Sequence, residues 1–366
     1  MTVKLSVGFL PLVDAAPLIV AREMGFDRAE GIVLDLRRAS AWSALRDMVT
    51  FGQVEAAQML SPMPVATALG LGGGGAGLAA VAVLSTNGEV VCVSQALETR
   101  LRDAGHGFDF DDAAAAGRAL IAAARGPLRI AVPFPFSMHA ELLYYWLTAL
   151  GLPSPAGLDI RTVPPPLMGA ALAAGDIDAC CVGEPWGSMA VEGGLGALLL
   201  PGAAIWSGAP EKVLGVRGDL ADAKPEALQA LIRATWHAGQ WLSQPASRTT
   251  ACEMLAGRDY LNVPAEVIDR ALSGQFTVTP RGDSRNLDHF IGFARMIPQA
   301  RHATWIGERL AARLGLDRIT ARTAAADSFR TGLAVSALGA IPGDRTPTAP
   351  HDVFFDGEEI GTHPQE

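Results

Sequence analysis

Ala179-Cys180-Cys181-Val182-Gly183-Glu184-Pro185-Trp186 is the stretch whose reading decides the fold. An apolar run of strand length ends on glycine, and a carboxylate, a rigid proline and an indole follow at once. In open α/β sheets ligands bind outside strand ends, where backbone N–H groups and loop side chains converge. Further along, Pro210-Glu211-Lys212 places a lysine in what reads as the next loop. With Trp42 and His139 upstream, the pattern fits recognition of a small anion better than catalysis.

Outward from this stretch the chain alternates strands and helices. Strands are predicted at 3–9, 32–37, 54–59, 78–84 and 89–94, with helices at 15–24, 41–51 and 62–70. An Ala- and Asp-rich stretch with one helix, 111–124, leads to a second α/β unit: strand 128–132, helix 137–150, strand 159–163, helix 166–174 and strand 178–182. From about 211 the chain returns to the first unit and turns helical, at 225–243, 246–256, 264–273, 286–298, 302–314 and 317–331. The predicted architecture is α/β, with two lobes, a ligand cleft between them and a helical C-terminal part. Lobe 1 is assigned 1–95 plus 211–338 and lobe 2 is assigned 96–210, while the Pro/Gly-rich tail 339–366 is expected to be poorly ordered. A chain crossing between two lobes makes hinge closure over a ligand the natural motion.

Composition narrows the function. Of 366 residues, 49% are apolar and 18% charged, which suits a folded chain rather than a disordered one. The net charge of −9 excludes the basic footprint of direct nucleic-acid binding, yet says nothing against a small anion. No window approaches the run of about 20 apolar residues that a membrane span needs. The first strand begins at residue 3 without the features of a secretory signal, so a cytoplasmic location is expected. Cys92, Cys180, Cys181 and Cys252 lack metal-ligand spacing and read as buried thiols, with no metal or cofactor implied. The glycine-rich segment 70–77 lacks the context of a phosphate loop. No nucleophile elbow, zinc-protease pair or paired-carboxylate motif appears, so the chain is not read as an enzyme.

The candidate ligand-binding residues are Trp42, Glu89, His139, Glu184, Trp186 and Lys212. Trp42 opens a helix after a strand. Its indole N–H suits an anion, although position alone equally allows a core tryptophan. His139 lies at a helix N-terminus, where unpaired N–H groups and the positive end of the dipole favour an anion. Lys212 supplies a full positive charge to a cleft, against the plainer reading of a solvated loop lysine. Glu184 cannot be a simple anion ligand because it would repel one; it is expected to orient His139 or Lys212, or to cap a helix.

Several segments together resemble the nitrate- and bicarbonate-binding proteins of bacterial ABC uptake systems (NrtA/CmpA-like) and their cytosolic nitrate/nitrite-sensor relatives (NasS-like). They are Gly8-Phe9-Leu10-Pro11-Leu12, Asp14-Ala15-Ala16-Pro17-Leu18, Ala41-Trp42, Gln58-Met59-Leu60-Ser61-Pro62-Met63-Pro64, Tyr145-Trp146-Leu147, Val182-Gly183-Glu184-Pro185-Trp186 and Pro210-Glu211-Lys212-Val213-Leu214-Gly215. The resemblance covers roughly residues 3–330 and implies a type II periplasmic-binding-protein-like fold with the ligand between lobes. It also places the family's nitrate-binding tryptophan, histidine and lysine on Trp42, His139 and Lys212. Bicarbonate-binding relatives carry an acidic residue at the lysine position, so Lys212 favours nitrate or nitrite. The family's pocket glutamine aligns with Glu89, which disfavours an anion unless it pairs with Lys212, is protonated or points away. The resemblance further implies a cytosolic sensor whose partner is a NasT-like RNA-binding antiterminator. The alternatives are the substrate-binding component of a nitrate transporter and a sulfonate- or thiamine-precursor-type binding protein or enzyme.

Overall fold

The computed structural model describes residues 3–73, 77–153, 156–339 and 352–360. Thirteen strands run in chain order through these residues. They are β1 Val3–Phe9, β2 Ile32–Arg38, β3 Ala56–Leu60, β4 Leu78–Asn87, β5 Glu89–Ser94, β6 Leu128–Val132, β7 Leu158–Thr162, β8 Ala179–Gly183, β9 Gly196–Pro201, β10 Pro210–Arg217, β11 Gln275–Thr277, β12 Ser284–Asn286 and β13 Ile291–Gly292. One six-stranded sheet has the order β13-β4-β10-β3-β1-β2 and a five-stranded sheet has the order β7-β6-β8-β5-β9, while β11 and β12 form a separate hairpin. The molecule therefore has the two-lobe, periplasmic-binding-protein-like α/β fold expected from its sequence.

Strands β3, β5, β8 and β9 are buried at every residue, the pattern of a sheet covered on both faces. The covering helices supply matching apolar stripes. Trp42–Thr50, for instance, buries Trp42, Leu45 and Val49 at helical spacing. Two buried clusters each draw on both sheets: Val7 and Leu214 pack with Val90 and Cys180 in one, Met59 and Val213 with Val91 and Cys181 in the other. The core is thus continuous from lobe to lobe.

The chain first crosses between sheets at Gly88, the single residue between β4 and β5. Its φ of +106° belongs to glycine, and a Cβ there would meet Ile291 Cδ1 at 2.8 Å. Strand β5 consequently lies inside the second sheet, paired with β8 and β9, whereas the sequence reading grouped 89–95 with the first lobe. The return crossing runs through 202–209 to β10, which sits antiparallel between β3 and β4.

Four expectations change. Residues 286–298 are not a helix: Asn286 closes β12, His289 has a φ of +59°, and Ile291–Gly292 pair with β4. Phe290, Phe293 and Met296 mimic helical spacing, yet each reaches the core from an irregular, extended segment. The helix Gln95–Asp103, capped by Ser94, and strand β9 went unread. Lys212 lies on a buried strand rather than in a loop. Part of the tail is packed, with Phe354 only 3% exposed and the Phe355 N–H donating to the Ile205 carbonyl; tail residues 340–351 and 361–366 lie outside the described residues.

Candidate functional site between the lobes

The site starts from an irregularity in β10. Pro210 pairs with Thr86 and Lys212 with Ser85, so Glu211 is an extra residue in the ladder. Such a bulge breaks the alternation that would send neighbouring side chains to opposite faces. Glu211 and Lys212 converge instead, with Lys212 Nζ 2.5 Å from Glu211 Oε1. The ammonium also lies 2.8 Å from Asp14 Oδ2, in the short turn after β1. Gln58 of β3 holds Asp14 in place: its amide donates to Asp14 Oδ1, and its Oε1 accepts the Leu10 N–H at 2.8 Å. Lys212 Nζ stands 5.4 Å from the centre of the Trp42 ring, within cation–π range.

The second lobe closes over this group. The helix Met138–Ala149, capped by Ser137, carries His139 near its N-terminus, with Nδ1 3.2 Å from Glu211 Oε1 but without hydrogen-bond alignment. At the end of β8, a Cβ on Gly183 would meet the end of the Leu12 side chain at 2.7 Å, with Asp14 and His139 just beyond, so the strand approaches the first lobe closely here. Glu89 opens β5 directly opposite Gly183. Two hydrogen bonds join the lobes beside the site, each 2.9 Å: Trp186 Nε1 donates to the Pro11 carbonyl, and the Val13 N–H to the Glu184 carbonyl. Outside them a pocket of about 330 Å³ is lined by Pro11, Ala39, Ser40, Pro165, Pro166 and Trp186.

Trp42, Glu89, His139, Glu211, Lys212 and Asp14 are all at most 2% exposed, and burial dominates their electrostatics. It pushes Asp14 above the usual carboxylate range, against the pull of Lys212 and Gln58. Burial raises Glu211 too, against Lys212. Glu89 is driven well above that range by burial and then by the charge of Glu211. For Lys212 burial works downward, but Asp14 and Glu211 outweigh it and hold the ammonium protonated. Burial, then Lys212, lower His139 well below its ordinary value, so it is a neutral imidazole.

Several buried polar atoms here have no hydrogen-bond partner: Trp42 Nε1, both ring nitrogens of His139, both carboxyl oxygens of Glu89, Ser85 Oγ and Asn87 Oδ1. A buried polar group left unsatisfied costs about 1–3 kcal/mol, so a concentration of them calls for partners that the chain itself does not supply. Indole N–H, imidazole and ammonium are the donors that a small oxyanion requires.

Of the six residues singled out in the sequence, Trp42, Glu89, His139 and Lys212 come together. Trp186 lies at the seam's outer edge and binds backbone. Glu184 neither orients His139 nor pairs with Lys212. Its carboxylate accepts the Ser188 N–H at 3.2 Å and caps the helix Trp186–Glu192, and burial raises its pKa to about 7. Glu211, together with Asp14, pairs with Lys212 instead. Asp14, Gln58 and Glu211 were missed as site residues, although a lysine ahead of the apolar run Val213-Leu214-Gly215-Val216 is itself a signal that carboxylates must be near.

Comparison with known proteins places the fold. The family described as NMT1-like matches residues 1–256. The nitrate/nitrite binding protein NrtA of a Nostoc species is 31% identical over 276 residues, covering 74% of this chain and 61% of that protein. The bicarbonate transport ATP-binding protein CmpC of Synechococcus elongatus is 34% identical over 313 residues, covering 84% of this chain and 45% of its own length. The chain thus spans about half to three fifths of the length of these relatives. The crystal structure of the periplasmic nitrate-binding protein NrtA from Synechocystis superposes with a TM-score of 0.85 at 27% identity, covering 97% of this chain and 94% of that one.

Proposed function

Since the chain belongs to the NMT1-like family, we propose that it binds a small oxyanion, nitrate or nitrite, between its lobes and serves as the ligand-binding component of an uptake system. One observation carries this reading: the buried Lys212 ammonium sits beside the unpartnered indole N–H of Trp42 and the unpartnered imidazole of His139, contributed by both lobes. The relatives named above are binding and transport components, so uptake stands ahead of the expected cytosolic sensor with its NasT-like antiterminator partner. The donor set supports nitrate or nitrite over bicarbonate, because a proton-free anion only accepts hydrogen bonds, which an ammonium and an indole N–H donate.

Calorimetric titration of ligand-stripped protein with nitrate, nitrite and bicarbonate at one salt concentration tests the proposal. Micromolar or tighter binding of nitrate or nitrite, with bicarbonate silent, is expected. Absence of heat from all three anions would overturn it.

A further inference from the structure

The charge on Lys212 is already committed. Its ammonium touches Asp14 and Glu211, and Glu89 stands close enough to feel all three charges without an ion pair of its own. Three carboxyl groups therefore face one ammonium in a seam closed to water. If all were ionised, an entering anion would join an excess of negative charge, and the low local polarity would magnify the repulsion.

Glu89 is the group able to relieve this. Both of its oxygens are buried and unpartnered. Its carboxyl lies against Gly202, where even a methyl group would collide with it, so the glycine leaves the space that the carboxyl occupies. The titratable and charged groups around it are Glu211 and Lys212 from β10, Asp14 from the turn after β1, and Cys181 from β8. A protonated carboxyl keeps an acceptor and gains one O–H donor, the valence that a side-chain amide would present.

We infer that the oxyanion is held together with a proton on Glu89, so that the carboxyl donates a hydrogen bond to the ligand and the site captures anion and proton as a pair. The inference rests on the oxyanion reading above and makes Glu89 a residue that determines pH response. Burial and the neighbouring Glu211 favour the protonated form, which sets the direction of the linkage. Affinity is full while Glu89 is protonated in the free protein and falls as pH rises through its titration. The proton comes from solvent. Nitrate, the anion of a strong acid, carries none across this range, so any proton taken up belongs to the protein.

The test is nitrate titration from pH 6.5 to 9.5, in buffers of different ionisation enthalpy, on the wild type and on Glu89→Gln. The wild type is expected to lose affinity on the alkaline side, approaching tenfold per pH unit, with uptake approaching one proton per nitrate. In E89Q both the slope and the proton uptake should vanish, leaving nitrate bound more tightly than by the wild type at pH 9.5. A flat wild-type profile without proton exchange, where infrared spectroscopy of the free protein shows the Glu89 carboxyl ionising in the same range, would overturn the inference and leave the oxyanion reading intact. An E89Q profile retaining the wild-type slope would assign the proton elsewhere and also overturn it. Absence of nitrate binding at every pH would remove the oxyanion reading and this inference together.

Discussion

The lobes meet at two very different places. In the inner seam, polar groups are buried in excess of their partners: Lys212 holds two carboxylates while Trp42, Glu89 and His139 are left unsatisfied. On the crossover side, Tyr145, Trp206, Trp305 and Phe354 pack with ring centres 4.4–6.0 Å apart. There the charged groups find partners. Arg313 pairs with Glu141 at 2.5 Å, Tyr145 Oη donates to Asp356 at 2.8 Å, and Asp352 lies 3.1 Å from His302; among the buried side-chain atoms of the described residues here, Trp206 Nε1 and one Asp352 oxygen lack a hydrogen bond. The aromatic corner is built as a protein core is built, and the seam is not. A fold that tolerates unsatisfied groups in one contact while satisfying nearly all of another reserves the first for something that arrives later.

The largest effect should come from the seam. Lys212→Met leaves Asp14 and Glu211 buried without a counter-charge, and removing one partner of such a pair costs about 3–5 kcal/mol. Urea denaturation should show that loss, and nitrate titration a drop in affinity of more than 100-fold. Lys212→Glu, on this buried strand, replaces the counter-charge of Asp14, Glu211 and Glu89 with a fourth carboxyl and should unfold the protein. Full nitrate affinity in folded Lys212→Met would erase the distinction between the two contacts.

At the corner, Phe354→Ala should destabilise by about 3 kcal/mol, as deletion of a buried ring does. Nitrate affinity should change less than threefold, since no seam residue is touched. A large loss of affinity would make the corner part of the binding apparatus.

The two contacts should also answer pH in opposite directions. Asp352, despite burial, is held below the usual carboxylate range by His302 and Arg301, so its contribution is present above the unfolded pKa and lost on acidification. Glu184, beside the seam, has its pKa raised by burial to about 7. It binds its proton more tightly when folded, so its stability is full below the unfolded value and declines as pH rises to about 7. The decline should reach up to about 3 kcal/mol, from the conversion of about 1.4 kcal/mol per pKa unit. Denaturation between pH 4.5 and 7.5 should show this slope in the wild type and a shallower one in Glu184→Gln; equal slopes would remove Glu184 as its source.

The smallest effect concerns the seam's edge. Trp186→Phe deletes the donor to the Pro11 carbonyl but keeps a ring in the pocket wall, a loss of about 1 kcal/mol in denaturation. A loss beyond about 3 kcal/mol would give this single contact the weight assigned to the seam.

Much of this architecture was legible before folding was considered. Strands 3–9, 89–94 and 128–132 are found at those residues, because apolar runs of β-branched residues between turn signals are a local property. The helix expected at 286–298 failed because spacing of three apolar residues also suits an irregular segment pinned by β4. Strand β9 follows a glycine pair and was hidden between stronger signals.

What the sequence alone determined was the class of fold and the chemical character of its site: α/β alternation in two units, with an indole, an imidazole and an ammonium at strand and helix ends. These follow from the order of residue types along the chain. The tertiary structure alone decided which sheet received β5, that Lys212 is buried, and that Glu211 and Asp14, not Glu184, bear on it. Those facts depend on a one-residue bulge and on side chains from positions 14, 139 and 211 meeting across two lobes. Burial and proximity between distant positions are set by packing, and packing is also what turns Glu89 into a group that must keep its proton or find a partner.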